Sequence, residues 1–124
     1  MTIRPGDTFM YPYPKEKKHL HIVVEKVIDK GMLICAFVSS IPENRGYDKS
    51  CMLEEGDTPF IKHPSYVVYD KMQFFDASTL ERMIENGQIK DRGHVEEAVL
   101  KRVIDGALNS KMTPNIFRKY LSSV

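Results

Sequence analysis

Two polar segments of the chain bring together residue types that act on phosphate esters. The sequence K-E-K-K-H-L-H, residues 15–21, is the most basic window, and K-H-P-S-Y, residues 62–66, places a cation, an imidazole and two hydroxyls at the start of a predicted strand. Loops carried on a rigid scaffold commonly contain the polar residues of a site. Two serines that end another predicted strand and one arginine in the loop after it complete the set. The candidate site residues are Lys17, Lys18, His19, His21, Ser39, Ser40, Arg45, Lys62, His63 and Tyr66.

These residue types meet the requirements of metal-free RNA cleavage. RNA carries its own nucleophile, the 2′-hydroxyl, so an enzyme has to remove that proton, protonate the leaving 5′-oxygen and neutralise charge on the phosphate. Histidine suits the acid and base roles because its ordinary pKa lies near neutrality. Lysine and arginine bind phosphate oxygens, and serine and tyrosine hydroxyls donate hydrogen bonds to them. This chemistry uses neither a metal nor an organic cofactor.

Two other interpretations of the same residues stay open. Histidines two apart on a strand share a face, and both histidine and cysteine bind zinc. The possible zinc ligands are His19, His21, Cys35, Cys51 and His63, although the chain has no CxxC or HExxH spacing. The alternative is structural, with His21 as a buried, hydrogen-bonded core residue.

Aromatic residues beside prolines are a further feature with a possible role in RNA binding. Most aromatic side chains of a globular protein fill the core, and few of them serve as platforms on which bases stack. The residues that could serve in this way each adjoin a proline: Tyr11, Tyr13 and Phe60.

Length and composition restrict the class of protein. With 124 residues the chain is predicted to form one domain, residues 1–124, and to bury a core without disulfides. The net charge of +1 excludes a general attraction to nucleic acid, so an RNA site must be a local patch. Cys35 and Cys51 lie in apolar, strand-like surroundings and are expected to be reduced core thiols. Because the sequence has no membrane-length apolar run and no apolar signal segment, we expect a cytoplasmic protein that does not associate with membranes.

The first part of the chain, about residues 1–76, is predicted to be β-rich. Branched and aromatic residues form short stretches suited to strands, and prolines, glycines and aspartates separate them. The turn Asp29-Lys30-Gly31 predicts that the strands on either side pair as a hairpin, whose nearly all-apolar second arm is covered on both faces. The predicted strands are residues 8–11, 20–27, 32–39, 50–53 and 66–75.

The second part, about residues 77–124, is predicted to be helical. One helix follows Asp76 and ends at Asn86-Gly87. Residues 94–108 carry apolar side chains at spacings of three and four, the clearest helical period in the chain. Thr113-Pro114 is expected to begin a last short helix, with inward-facing side chains at Ile116, Phe117, Tyr120 and Leu121. Short antiparallel strands followed by packing helices predict a small, partly open α+β barrel.

Four segments occur in an order that is typical of a known family. They are R-P-G-D-T-F-M-Y-P before the basic loop, H-L-H-I-V-V-E, G-M-L-I-C-A-F-V-S-S, and S-Y-V-V-Y-D-K-M-Q-F-F-D-A-S-T-L before a helix. This order resembles the PemK/MazF family of bacterial toxins over about residues 4–108. The apolar strand ending at Ser39-Ser40 matches the strand that carries the family's active-site threonine or serine. Residues 66–80 match the strand, aspartate and helix that close the family's barrel.

The resemblance implies a fold, an activity and partners. The fold would be an SH3-like antiparallel barrel with C-terminal helices, and the protein would form a homodimer. The activity would be that of a toxin that cleaves RNA as a metal-independent endoribonuclease and is held in check by an antitoxin protein.

The family's catalytic roles map onto this chain with one departure. The family has an arginine followed by proline at the start of the second strand, where this chain has His19-Leu20. The arginine's role would therefore fall on His19, with His63 sharing the acid and base work. The expected catalytic residues are His19, His63, Ser39, Ser40 and Lys62. The expected RNA and phosphate contacts are Lys17, Lys18, His21, Arg45 and Tyr66.

A non-catalytic binding module is the second hypothesis. The gyrase poison CcdB has a fold similar to that of the PemK/MazF proteins and binds a protein through its C-terminal helix. A barrel without the family's arginine could likewise bind a protein or RNA without cutting it. Under this hypothesis the helix over residues 113–121 matters more than His63.

Overall fold

The computed structural model describes residues 2–121, which form a curled antiparallel half-barrel with helices packed against it. The strands are β1 (Asp7–Tyr11), β2 (His19–Val27), β3 (Met32–Ser40), β4 (Met52–Leu53), β5 (Ser65–Asp76) and β6 (Lys90–His94). The helices are α1 (Ala77–Glu85), α2 (Glu97–Asn109) and α3 (Asn115–Arg118). The strands form one sheet in the order β4-β5-β3-β2-β1-β6. The predicted β-rich α+β architecture with C-terminal helices is confirmed.

The hairpin of β2 and β3 forms the centre of the sheet. Leu20 lies opposite Val38 and Val27 lies opposite Met32, so the predicted pairing is confirmed. A 3-10 turn over Ile28–Lys30 joins the two strands, and Gly31 follows with a φ of +63°, which glycine adopts without a steric penalty. Strand β3 lies between β2 and β5, and its residues 33–38 are all buried, as expected of a strand covered on both faces.

Register shifts bend this sheet and bring the site together. One shift lies between Val23 and Glu25 of β2, and another lies between Cys35 and Phe37 of β3. At the first shift β2 has one extra residue, and at the second, residues 69–72 of β5 lie opposite Ala36 of β3. Extra residues in one strand increase the local twist and bend the strand. Beyond the second shift Ser40 lies opposite Ser65, so the end of β3 adjoins the loop that precedes β5.

Helices cover both faces of the sheet. Helix α2 packs on one face through Val103 and its neighbours, and the buried Tyr69 Oη of β5 donates a 2.7 Å hydrogen bond to the Val103 carbonyl. At Gly106 the helix lies so close to the sheet that an added Cβ would be only 2.8 Å from Cys51 Cβ. Helix α1 packs on the other face through Ala77 and Leu80.

Strand β6 departs from the prediction. The sequence K-D-R-G-H has no apolar alternation and its side chains are largely exposed, so it carried no strand signal. It nevertheless pairs with β1, where Asp7 lies opposite His94, and their side chains meet at 2.8 Å. Helix α2 therefore begins at Glu97 and not at His94. The predicted division into a barrel over residues 1–76 and a helical part over residues 77–124 is wrong, because the second part supplies an edge strand to the sheet.

The C-terminal segment corrects two further predictions. The Thr113 hydroxyl donates to the Ala107 carbonyl and does not cap α3, whose N-cap is Pro114. Ile116 is 57% exposed and not inward-facing, whereas Phe117 is buried as predicted. Residues 122–124, which the prediction included in the helical part, lie outside the described residues. None of the helices in the described part is long and apolar enough to cross a membrane.

Candidate active site

A cavity of about 370 Å³ opens where the start of β2, the end of β3 and the loop before β5 meet. Its floor is apolar and is formed by Met10, Leu20, Val38 and Ile61. Most of the predicted site residues line it, although they come from three separate segments of the chain. These residues are Lys17, Lys18, His19, Ser39, Ser40, Lys62 and His63. The two polar segments therefore meet at one cavity.

The centre of the cavity is a hydrogen bond between Ser40 and His63. The distance from Ser40 Oγ to His63 Nε2 is 2.8 Å, and both side chains are exposed. The hydroxyl donates to an unprotonated Nε2, and a protonated Nε2 donates to the hydroxyl oxygen, so the pair persists through a proton transfer. The neighbouring Ser39 Oγ instead lies 3.5 Å from the Ser40 carbonyl. Of the two serines, Ser40 is the one that contacts His63.

The loop that carries His63 is fixed by β5. The buried Ser65 hydroxyl donates a 3.0 Å hydrogen bond to the His63 carbonyl. Because Ser65 also lies opposite Ser40 in the sheet, one strand pair positions both members of the hydrogen-bonded pair. Ser65 is one of the two hydroxyl residues noted in residues 62–66, although it was not among the candidate site residues.

Cations surround this pair. Lys17, Lys18 and Lys62 are exposed, and no carboxylate of residues 2–121 lines the cavity. His19 is half-buried, with its ring centroid 4.8 Å from that of Phe37 and its Nδ1 3.1 Å from the Lys17 carbonyl. The cavity is thus a local positive patch on a chain of net charge +1, as RNA binding would require.

His21 is a core residue, which corrects its predicted contact with phosphate. It is 2% exposed and its ring stacks on Phe9 at a centroid distance of 5.4 Å. Its Nδ1 donates to the His19 carbonyl at 3.0 Å, and its buried Nε2 has no hydrogen-bond partner. Burial lowers the pKa of His21 to about 4, so the ring is neutral at pH 7. The structural interpretation of His21 is confirmed.

Arg45 and Tyr66 line a different cavity, which corrects their predicted place beside the other site residues. That cavity, of about 650 Å³, also contains Tyr47 and Asp48. Tyr66 is 6% exposed and packs on Tyr47 at a ring distance of 4.9 Å. Successive side chains of a strand point to opposite faces, so Tyr66 points away from the face of Ser65.

The zinc interpretation has no support in this arrangement. Cys35 and Cys51 are both buried, and burial raises the pKa of each thiol. Within residues 2–121, no three histidine, cysteine, aspartate or glutamate side chains are placed to share a metal ion.

An aromatic residue of the cavity, Phe60, is in contact with an arginine outside it. Phe60 lines the cavity and is 40% exposed, and the Arg92 guanidinium lies 5.0 Å from its ring centroid. Phe60 was among the aromatic residues with a predicted stacking role. Arg92 was missed because β6, which carries it, gave no strand signal.

No protein-family model and no curated protein matches the sequence. The function is therefore inferred from the geometry of this cavity and from the chemistry of the residues that line it.

Proposed function

We propose that this protein is a metal-independent endoribonuclease of the PemK/MazF toxin type. The observation that carries the proposal is the 2.8 Å contact between Ser40 and His63 in a cavity lined by Lys17, Lys18 and Lys62. An imidazole, a hydroxyl and several cations are the groups that cleavage of RNA by its own 2′-hydroxyl requires. The curled antiparallel half-barrel is compatible with the SH3-like barrel that the proposal includes.

Two histidines share the proton transfers in this mechanism. Neutral His63, in the tautomer whose Nε2–H donates to Ser40 Oγ, accepts the 2′-hydroxyl proton at Nδ1 while the 2′-oxygen forms a bond to phosphorus. The bond between phosphorus and the 5′-oxygen breaks, and protonated His19 donates its proton to that oxygen. The products are a 2′,3′-cyclic phosphate and a 5′-hydroxyl. Ser40 orients the imidazole or a phosphate oxygen, and Lys62 with its neighbours stabilises the charge on the phosphate.

The proposed partners are RNA, an antitoxin protein and a second copy of the chain. The positive cavity supports the first, because polyanions bind where lysines cluster. The antitoxin and the homodimer are supported by the resemblance alone.

The test is cleavage of a long mixed-sequence RNA by purified protein in the presence of a chelator. We expect His63→Gln to lower the rate by about 10²- to 10⁴-fold, the usual contribution of general acid–base catalysis. His94→Gln is the matched control, since His94 pairs with Asp7 outside the cavity. The assignment is wrong if His63→Gln and His19→Gln both cleave at the wild-type rate. Folded wild type that releases no cyclic-phosphate ends would refute the proposed enzyme.

A protein-binding module remains the second candidate because of the C-terminal segment. Met112 is 53% exposed and Ile116 is 57% exposed, and such apolar side chains suit a protein partner. If expression of the protein inhibits bacterial growth, Met112→Ser with Ile116→Ser should abolish inhibition if binding is the function, and His63→Gln should not. An endoribonuclease gives the opposite result. Ile28→Ser, at a side chain 80% exposed in the β2–β3 turn, is the control for loss of a surface apolar group.

A further inference from the structure

Phe60 is an exposed aromatic ring on an anchored loop. Two neighbouring residues of the loop are buried, Thr58 at 3% exposed and Ile61 at 6% exposed, whereas Phe60 is 40% exposed. The Thr58 hydroxyl oxygen accepts hydrogen bonds from the backbone N–H groups of Phe60 at 3.2 Å and Ile61 at 3.0 Å. These hydrogen bonds fix the backbone of the loop, and the Phe60 ring lines the same cavity as Ser40 and His63.

Strand β6 supports this loop from the side. The Arg92 guanidinium carbon lies 5.0 Å from the Phe60 ring centroid, a distance at which a cation is attracted to an aromatic ring. Pro59 lies close to Gly93, where an added Cβ would be 3.3 Å from Pro59 Cγ. Contacts with β6 therefore hold the loop and the Phe60 ring in place, while part of the ring stays exposed.

The surroundings of Phe60 fit one kind of occupant. Lys17, Lys18 and Lys62 line the same cavity and attract a polyanion. Nucleobases stack on aromatic rings, and only unpaired bases can do so. The nearby floor, which includes Leu20 and Ile61, is apolar and tolerates any base.

We infer that Phe60 is the stacking platform for a nucleobase of single-stranded RNA, next to the phosphate that the Ser40–His63 pair acts on. This inference rests on the proposed function. It gives Phe60, supported by Arg92, a role in binding a base and not in proton transfer.

The first test uses the absence of tryptophan from the chain. Phe60→Trp introduces a single indole at the proposed platform. We expect its fluorescence to be quenched when a single-stranded oligonucleotide with 2′-deoxyribose at every position, which cannot be cleaved, is added. Ile116→Trp is the matched control, because residue 116 is exposed but does not line the cavity. Equal responses of the two variants would overturn the inference.

The second test measures affinity for the same oligonucleotide. We expect Phe60→Ala to weaken binding by about 5- to 150-fold, the range found for loss of one stacked base. The salt dependence of binding should stay at the wild-type value, because no charge is lost. Lys62→Gln should lower the slope of log affinity against log salt by about 0.7, as expected for one single-strand phosphate contact. Phe60→Leu, which keeps an apolar side chain, gives the same comparison if the alanine variant does not fold.

The outcomes separate this inference from the proposed function. If wild type cleaves RNA and Phe60→Ala binds as tightly as wild type, the platform is refuted and the enzyme stands. If Phe60→Ala loses affinity but wild type never cleaves RNA, the platform stands and the enzyme is refuted. Wild type that neither binds nor cleaves overturns both.

Discussion

His21 makes the stability of this protein depend on pH in a defined window. Its ring lies among aromatic side chains, with Phe9 stacked on it, and its Nδ1 donates to the His19 carbonyl. The next proton would have to bind Nε2, which is buried and has no acceptor nearby. Charging the ring therefore creates an unpaired buried cation, and this is the cause of its lowered pKa of about 4.

The sign and size of the effect follow from the two protonation equilibria. The unfolded chain takes up a proton at His21 below about pH 6.5, whereas the folded protein does so only near a pKa of about 4. The contribution of His21 to stability is present above about pH 6.5 and is lost as the pH falls toward about 4. At about pH 4.5 the free energy of unfolding should be about 2 to 3 kcal/mol lower than at about pH 8. A pKa difference of one between the folded and unfolded states corresponds to about 1.36 kcal/mol.

Urea unfolding of wild type and His21→Phe across this pH range measures the effect. Phenylalanine keeps an aromatic ring in the cluster and cannot be protonated. Groups that do not interact with His21 contribute equally to both proteins, including Asp76, whose pKa is lowered by the backbone N–H of Thr79. The difference between the two unfolding free energies therefore isolates His21. A difference that does not change with pH, or a His21 ring resonance in the NMR spectrum that titrates near 6.5, would refute the buried neutral imidazole.

Three further predictions concern the core and the site. Tyr69→Phe should lower the free energy of unfolding by about 1 to 2 kcal/mol in urea titration, because the Val103 carbonyl loses its buried donor; an unchanged value would contradict this. Gly106→Ala should cost about 1 to 3 kcal/mol by overpacking. The cost of Gly106→Ala should be smaller in a protein that also carries Tyr69→Phe, since the Tyr69 hydroxyl is one of the groups that the new methyl would contact. Additive effects of the two substitutions on the free energy of unfolding would refute that contact. Ser40→Ala should slow RNA cleavage by about tenfold, less than His63→Gln, because the serine orients the imidazole and does not carry the proton. A larger loss for Ser40→Ala than for His63→Gln would reverse these roles.

Structural elements that depend on residues close together in the chain were predictable from the sequence. The β2–β3 hairpin depends on branched residues on both sides of a turn at Gly31, and all of these lie within one short segment. The strand leading to Asp76 and the helix after it are equally local. The candidate residues for RNA chemistry were also visible, because residue type alone decides which side chains can transfer a proton or bind a phosphate.

Contacts between distant segments were not predictable in the same way. His19 and His21 have the same type and lie two residues apart, yet one lies at the cavity and the other is buried among aromatic rings. Strand β6 and Arg92 gave no sequence signal because the pairing with β1 is made by backbone groups, which every residue has.

The sequence by itself determined which residues could act on RNA and the local elements that carry them. The tertiary structure alone decided that Ser40 and not Ser39 meets His63, and that Arg45 lies in another cavity. The physical reason is the register between β3 and β5, which is set by a shift near Cys35. A displacement of one residue would turn every following side chain of the strand to the opposite face, so the site exists only at the register that the folded sheet adopts.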